Sequence, residues 1–269
     1  GDVTPLVHEG EQTRLGRGVF DSGKLDPEAI AQTAFVAGRF AEKARRMGAV
    51  EVKAVATSAA REARNGMDLI EAFREVNVPL TIIEGDREAE LVLRGVRSHS
   101  DFSDGPLAII DVGGGSTELL VADETGLRVQ HSFPLGTVRL LEQHRPSDLP
   151  TAQERAKVIE ALDQFLDDQV TPLLGTVVLP GMLVGAGGTP VFLSRILKET
   201  DDLSAMELEA LSWLLPEVQS LTDRLWMMSL ERRQALAGLP ADRADVILFG
   251  AAIYEAVMMR CGFHQLRPT

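Results

Sequence analysis

The chain has a single cysteine, Cys261, among 269 residues, so no intrachain disulfide can form. No apolar run reaches the ~18 residues that a membrane-spanning helix requires, which argues against an α-helical span. Residues 1–11 show no basic region followed by an apolar one, the arrangement of a secretory leader. These absences make the cytoplasm the expected compartment. The five histidines, His8, His99, His131, His144 and His264, are scattered without ligand spacing, so no zinc site is expected. Repeats and low-complexity tracts are missing too. Positive charge is scarce: 27 Lys and Arg against 40 Asp and Glu give a net charge of −13. A general nucleic-acid binder carries the opposite sign. The same field repels any polyanionic ligand, so a site for one has to be lined locally by arginine, lysine, backbone amides or a metal.

What is present is a globular composition, 45% apolar and 25% charged. Strand-like and helix-like segments alternate, which points to an α/β fold. Residues 3–15 read as an extended strand. Asp26-Pro27-Glu28 is a helix start, an N-cap followed by proline at the first position, and Arg46-Met47-Gly48 is the matching stop. Residues 50–57 and 80–84 read as strands, and 58–64, 68–75 and 86–97 as helices. The polar stretch 98–105 marks a domain boundary, giving domains 1–104 and 105–269. Beyond it come strands at 106–112, 117–122 and 128–133, a short helix after Gly136, a helix over 151–168 and a buried strand at 182–185. The remainder is mainly helical, and its last long helix covers 241–260. Trp213, Trp226, Met227 and Met228 suggest an apolar face, either core or dimer interface.

The sharpest motif is Asp111-Val112-Gly113-Gly114-Gly115-Ser116-Thr117-Glu118. It lies between two apolar strands and reads as a tight hairpin. Three glycines permit φ > 0 and close approach of a ligand, and their N–H groups with the Ser116 hydroxyl can form an anion nest. Asp111 and Glu118 stand at the two feet, where both carboxylates reach one site. Carboxylates beside a phosphate cradle suit Mg²⁺. A second cluster, Gly185-Ala186-Gly187-Gly188-Thr189, follows an apolar strand and opens a helix, a phosphate approach site; a packed strand–helix turn reads the same way. Two such clusters are what a two-loop phosphate clamp needs. Arg61, at the end of Ala56-Thr57-Ser58-Ala59-Ala60-Arg61, can bind phosphate bidentately, or be a surface arginine. Glu88, just after the strand ending at Glu84, can deprotonate a water, or merely complement its helix dipole.

Together these segments resemble the exopolyphosphatase/guanosine pentaphosphate phosphohydrolase family, within the actin–sugar kinase–Hsp70 superfamily, over nearly the whole chain. Asp111 to Glu118 reproduces that family's D-x-G-G-G-S-x-E loop. Ala56 to Arg61 is similar to its A-T-x-A-x-R segment, Gly85 to Leu91 to its G-x-E-E-A-x-L segment, and Gly185 to Thr189 to its G-A-x-G-T loop. The resemblance implies two actin-like, ribonuclease H-like domains with an interdomain cleft, the last helix able to pack back on the first domain. It implies hydrolysis of terminal phosphoanhydrides in polyphosphate or guanosine polyphosphate. Glu88 would be the general base, and Asp111 and Glu118 would organise Mg²⁺, with room for a monovalent cation. Gly113, Gly114, Gly115, Ser116, Gly187, Gly188, Thr189 and Arg61 would hold the substrate. The resemblance also implies a homodimer.

This sequence departs from the family in four places. Arg87 replaces the first of two adjacent acids, and Glu90 stands where the family has arginine. The family's opening D-x-G-[ST]-N loop and its closing acidic, glycine-bearing segment find no counterpart, and the expectation is that the given sequence omits them. Two other readings stay open: a superfamily kinase, and a non-catalytic binder of guanosine tetraphosphate or polyphosphate.

Overall fold

The structure, a computed structural model, describes residues 6–269. Its contacts divide the chain into two compact units, Gly1–Glu88 and Ala89–Thr269.

In the first unit the longest helix is Pro27–Arg46. It starts as its sequence dictates: the Asp26 carboxylate accepts the Ala29 N–H at 3.0 Å and Pro27 fills the first position. It ends in Lys43, Arg45 and Arg46, which suit the negative pole of the helix dipole. Its buried face, with Ile30 and Ala34, meets Leu69 and Phe73 of the helix Gly66–Glu75. Two short parallel strands, β1 (Ala54–Ala56) and β2 (Leu80–Ile82), complete this core in register Ala54↔Leu80. Each is shorter than the sequence pattern implies. The expected strand over 3–15 does not form among residues 6–15; residues 3–5 lie outside the described residues.

The second unit is built on a six-stranded sheet of order β5-β4-β3-β6-β8-β7. The strands are β3 (Leu107–Val112), β4 (Thr117–Asp123), β5 (Gly126–Phe133), β6 (Met182–Ala186), β7 (Trp213–Leu214) and β8 (Gln265–Pro268). β3, β4 and β5 form an antiparallel meander; β6 and β8 then add parallel to β3, and β7 closes the edge antiparallel. A meander followed by parallel strands is the arrangement expected of an actin-like, ribonuclease H-like domain. Side chains alternate between the two faces. Ala108, Ile110, Leu119, Val121 and Leu183 meet the helices Ala152–Phe165, Gly188–Lys198, Leu215–Trp226 and Ile247–Cys261. Ile109, Leu120 and Val184 face Ala89, Val96 and Phe102. Burial on both faces explains why β3 and β4 read as nearly unbroken apolar runs. Ile109 and Ile110, both 0% exposed, each contribute roughly 1.5–3 kcal/mol by leaving water.

The sequence reading divides the chain in the polar stretch 98–105, whereas the contacts divide it at Glu88. Phe102 is the reason: it is buried with Ala89, Val96 and Leu107, so most of the helix Gly85–Arg97 belongs with the second sheet. Trp213 and Trp226 prove to be core. The Trp213 indole donates to Ser194 Oγ at 3.0 Å, and Trp226 packs edge-on to Phe249 at 5.8 Å. Burial pushes the Cys261 thiol up to about 11, which makes it a poor nucleophile. Among the described residues, no helix is long and apolar enough to cross a membrane.

Candidate functional site

The glycine motif is the β3–β4 hairpin. Its register pairs Asp111 with Glu118 and Val112 with Thr117, and Gly113 N–H donates to Ser116 O at 2.9 Å to close the turn. The two carboxylates are therefore cross-strand neighbours on one face. Ser132 of β5 pairs with Glu118 in turn, and its hydroxyl donates to Glu118 Oε1 at 2.6 Å. Asp111, Glu118 and Ser132 thus form one polar row across three strands. Glu118 is 1% exposed, and a carboxylate so buried needs such donors or a cation to stay charged.

The tip of the hairpin is held from behind. Thr137 N–H donates to Gly113 O at 3.0 Å, Val138 N–H to Gly114 O at 2.8 Å, and Arg139 Nε to Gly115 O at 2.9 Å. These donors belong to the first turn of the helix Thr137–His144, whose free N–H groups find their acceptors here. Among the described residues, the N–H groups of Gly114, Gly115 and Ser116 donate to no backbone carbonyl, which leaves them as candidate anion donors. The three glycines permit positive φ. Gly113 and Gly114 do not adopt it; their need for glycine is steric. A β-carbon on Gly114 would lie 3.2 Å from Val138 Cγ2, and one on Gly136 would lie 2.4 Å from Gly114 O.

The second glycine cluster stands beside the first because β6 runs parallel to β3, with Asp111 opposite Ala186. β6 ends at Ala186; Gly187 follows with φ 81° and ψ −168°, and the helix Gly188–Lys198 begins at once. That backbone conformation is essentially restricted to glycine. The Thr189 hydroxyl donates to Val112 O at 2.9 Å, tying the two loops together. Gly250 of the helix Ile247–Cys261 passes directly behind, where a β-carbon would lie 2.7 Å from Thr189 Cγ2. The structure therefore brings Asp111, Glu118, Gly113, Gly114, Gly115, Ser116, Gly187, Gly188 and Thr189 to one end of the second sheet.

Arg61 and Glu88 meet in the first unit. Arg61 Nη1 donates to Ile83 O at 2.8 Å and reaches Glu88 Oε2 at 3.4 Å. Its side chain is 19% exposed, and that of Glu88 18%. Burial raises the Glu88 carboxyl above its ordinary range, while the Arg61 guanidinium and the Thr57 hydroxyl partly hold it down. A carboxylate made more basic by burial is suited to take a proton from water. Arg61 is thus engaged in placing Glu88, a role its motif did not disclose. Glu90 is paired with Arg94 one turn on, at 2.5 Å.

Among the described residues, no three His, Cys, Asp or Glu side chains converge into a metal cage. Two acidic neighbours still match the demands of Mg²⁺, which keeps several waters and seldom uses an all-protein cage. A cavity of about 480 Å³ in the first unit is lined by Leu6, Val7, Phe40, Lys43 and Met47 and contains none of these residues. Sequence reasoning missed Ser132, Thr137, Arg139, Gly136 and Gly250, all of which support the loops. Only the glycines carried a local signal.

The family model described as the Ppx/GppA phosphatase family matches residues 1–265. Exopolyphosphatase 2 of Mycobacterium tuberculosis is 31% identical over 278 aligned positions, covering 99% of this chain and 86% of that protein. The guanosine-5'-triphosphate,3'-diphosphate pyrophosphatase of Vibrio cholerae is 27% identical, covering 96% of this chain and 50% of that protein. The crystal structure of an exopolyphosphatase from Cytophaga hutchinsonii superimposes with a TM-score of 0.85 at 27% identity, over 98% of this chain and 85% of that one.

Proposed function

This chain belongs to the Ppx/GppA phosphatase family, and on that premise we propose that it hydrolyses the terminal phosphoanhydride bond of inorganic polyphosphate or guanosine pentaphosphate. The observation that carries this reading is the parallel pairing of β3 with β6, with Asp111 opposite Ala186. It sets two glycine loops and two carboxylates at one sheet end. The names of the relatives in M. tuberculosis and V. cholerae support the same substrate classes.

In this reading the backbone N–H groups of Gly114, Gly115, Gly187, Gly188 and Thr189, with the Ser116 hydroxyl, receive the oxygens of the terminal phosphoryl group, while the Thr189 hydroxyl stays bonded to Val112 O. Asp111 and Glu118 would hold a divalent cation, Mg²⁺, which neutralises charge on those oxygens when bound. Glu88 takes a proton from the attacking water as its oxygen bonds to phosphorus and the bridging P–O bond breaks. The products are orthophosphate and a chain one phosphate shorter. Arg61 keeps Glu88 ionised and offers its remaining N–H groups to the phosphate chain. Little covalent work falls to the protein, because positioning and charge stabilisation dominate phosphoryl transfer. The reading extends to a cytoplasmic homodimer.

The test is phosphate release from each substrate with Mg²⁺ and no added acceptor. Steady release supports a hydrolase; phosphate transfer only when an acceptor is supplied would mean a kinase instead.

A further inference from the structure

Tyr254 is the one tyrosine in the sequence. It lies on the helix Ile247–Cys261, is 0% exposed, and its hydroxyl has no hydrogen-bond partner among the described residues. Packing alone would be served by phenylalanine, because a buried hydroxyl left unpaired carries its full desolvation penalty. Its position is specific. A β-carbon on Gly185 would lie 3.1 Å from Tyr254 Oη, and one on Gly187, two residues further on and just past the end of β6, would lie 2.4 Å from Asp111 Oδ1. The hydroxyl and the carboxylate therefore rest against bare backbone at alternate positions of one strand end. A protonated phenol donates one hydrogen bond, and a buried water needs two or more polar partners, which this pair supplies.

We propose that Tyr254 is a positioning residue for the cation site, its hydroxyl donating through one bridging water to the Asp111 carboxylate and fixing that carboxylate toward the metal. The inference rests on the reading of Asp111 as a metal ligand. Outer-shell donors of this kind orient ligating carboxylates, and their loss costs 10- to 100-fold in metal affinity.

Because there is one tyrosine, protein labelled with ¹³Cζ-tyrosine gives one resonance. Mg²⁺ is titrated without substrate while binding is followed by calorimetry on the same sample, and the Asp111→Asn and Tyr254→Phe variants are carried in parallel. The expected result is a resonance that moves in step with Mg²⁺ binding, with both effects lost in Asp111→Asn. Tyr254→Phe should melt normally and bind Mg²⁺ about 10- to 100-fold more weakly, with kcat recovered at saturating Mg²⁺. If Asp111→Asn loses Mg²⁺ binding but the wild-type resonance stays fixed and Tyr254→Phe binds within twofold of wild type, the inference is wrong and the metal assignment stands. If Asp111→Asn binds Mg²⁺ as wild type does, the assignment itself fails and takes the inference with it. The resonance reads out in unsubstituted protein, so the test holds even if a variant does not fold.

Discussion

Asp111 occupies the space that a side chain at Gly187 would need: an ideal β-carbon there falls 2.4 Å from Asp111 Oδ1. The two residues belong to different loops, brought together by the pairing of β3 with β6. The absence of a side chain at 187 is thus part of how the carboxylate is placed.

Gly187→Ala should therefore damage both backbone and site. The φ of 81° with ψ −168° is a conformation that costs other residues about 1–3 kcal/mol, and the new methyl displaces Asp111. The expected outcome is a lowered melting temperature together with loss of Mg²⁺-dependent phosphate release. Normal activity at a lowered melting temperature would detach Asp111 from the chemistry.

Thr189→Val keeps the β-branched shape beneath Gly250 and removes only the donor to Val112 O. A net loss of about 1 kcal/mol is expected for one such hydrogen bond, or about 2–4 °C in melting temperature for a unit of this size. A larger rise in KM than the stability change accounts for is expected as well, because the bond ties the two glycine loops together. Thermal melts and steady-state kinetics on one preparation read both effects.

The pH dependence follows from Glu88. Its carboxyl is raised above 4.5, by burial first, so the acid limb of kcat/KM should have its midpoint above the ordinary glutamate range. Arg61 opposes that shift by hydrogen bond and charge. Arg61→Met should move the limb to still higher pH, and an unmoved limb would mean that another group titrates.

The same shift has a consequence for stability. The folded chain holds the Glu88 proton at pH values where the unfolded chain has released it. Stability from Glu88 is therefore present below about pH 4.5, the unfolded value, and is lost as pH rises through the higher folded value. Glu88→Gln, which cannot ionise, should raise the melting temperature at pH 7 more than at pH 4.

The sequence alone revealed the elements whose cues are local. Asp26-Pro27 and the basic end of Pro27–Arg46 set that helix, and the apolar runs flanking Gly113-Gly114-Gly115 set the hairpin that pairs Asp111 with Glu118. β8 escaped because Gln265–Pro268 offers a lone buried aliphatic, Leu266, beside two polar residues and a terminal proline. β7 is two residues long, below any periodic signal. The supports of the site escaped for another reason. Ser132, Thr137, Arg139 and Gly250 matter through register and close approach over long sequence separations, which no window along the chain contains. The hairpin glycines permit positive φ, but in this site it occurs at Gly187; only the packing of the helix Thr137–His144 reveals that the hairpin needs room.

The most direct test of the account compares wild-type protein with Glu88→Gln for phosphate release and for binding of polyphosphate and guanosine pentaphosphate, in the presence of Mg²⁺. Removing a general base should lower kcat by about 10²–10⁴-fold while binding stays within a fewfold of wild type. Turnover by Glu88→Gln at a rate close to that of wild type, or tight binding by wild type with no phosphate released, would contradict it.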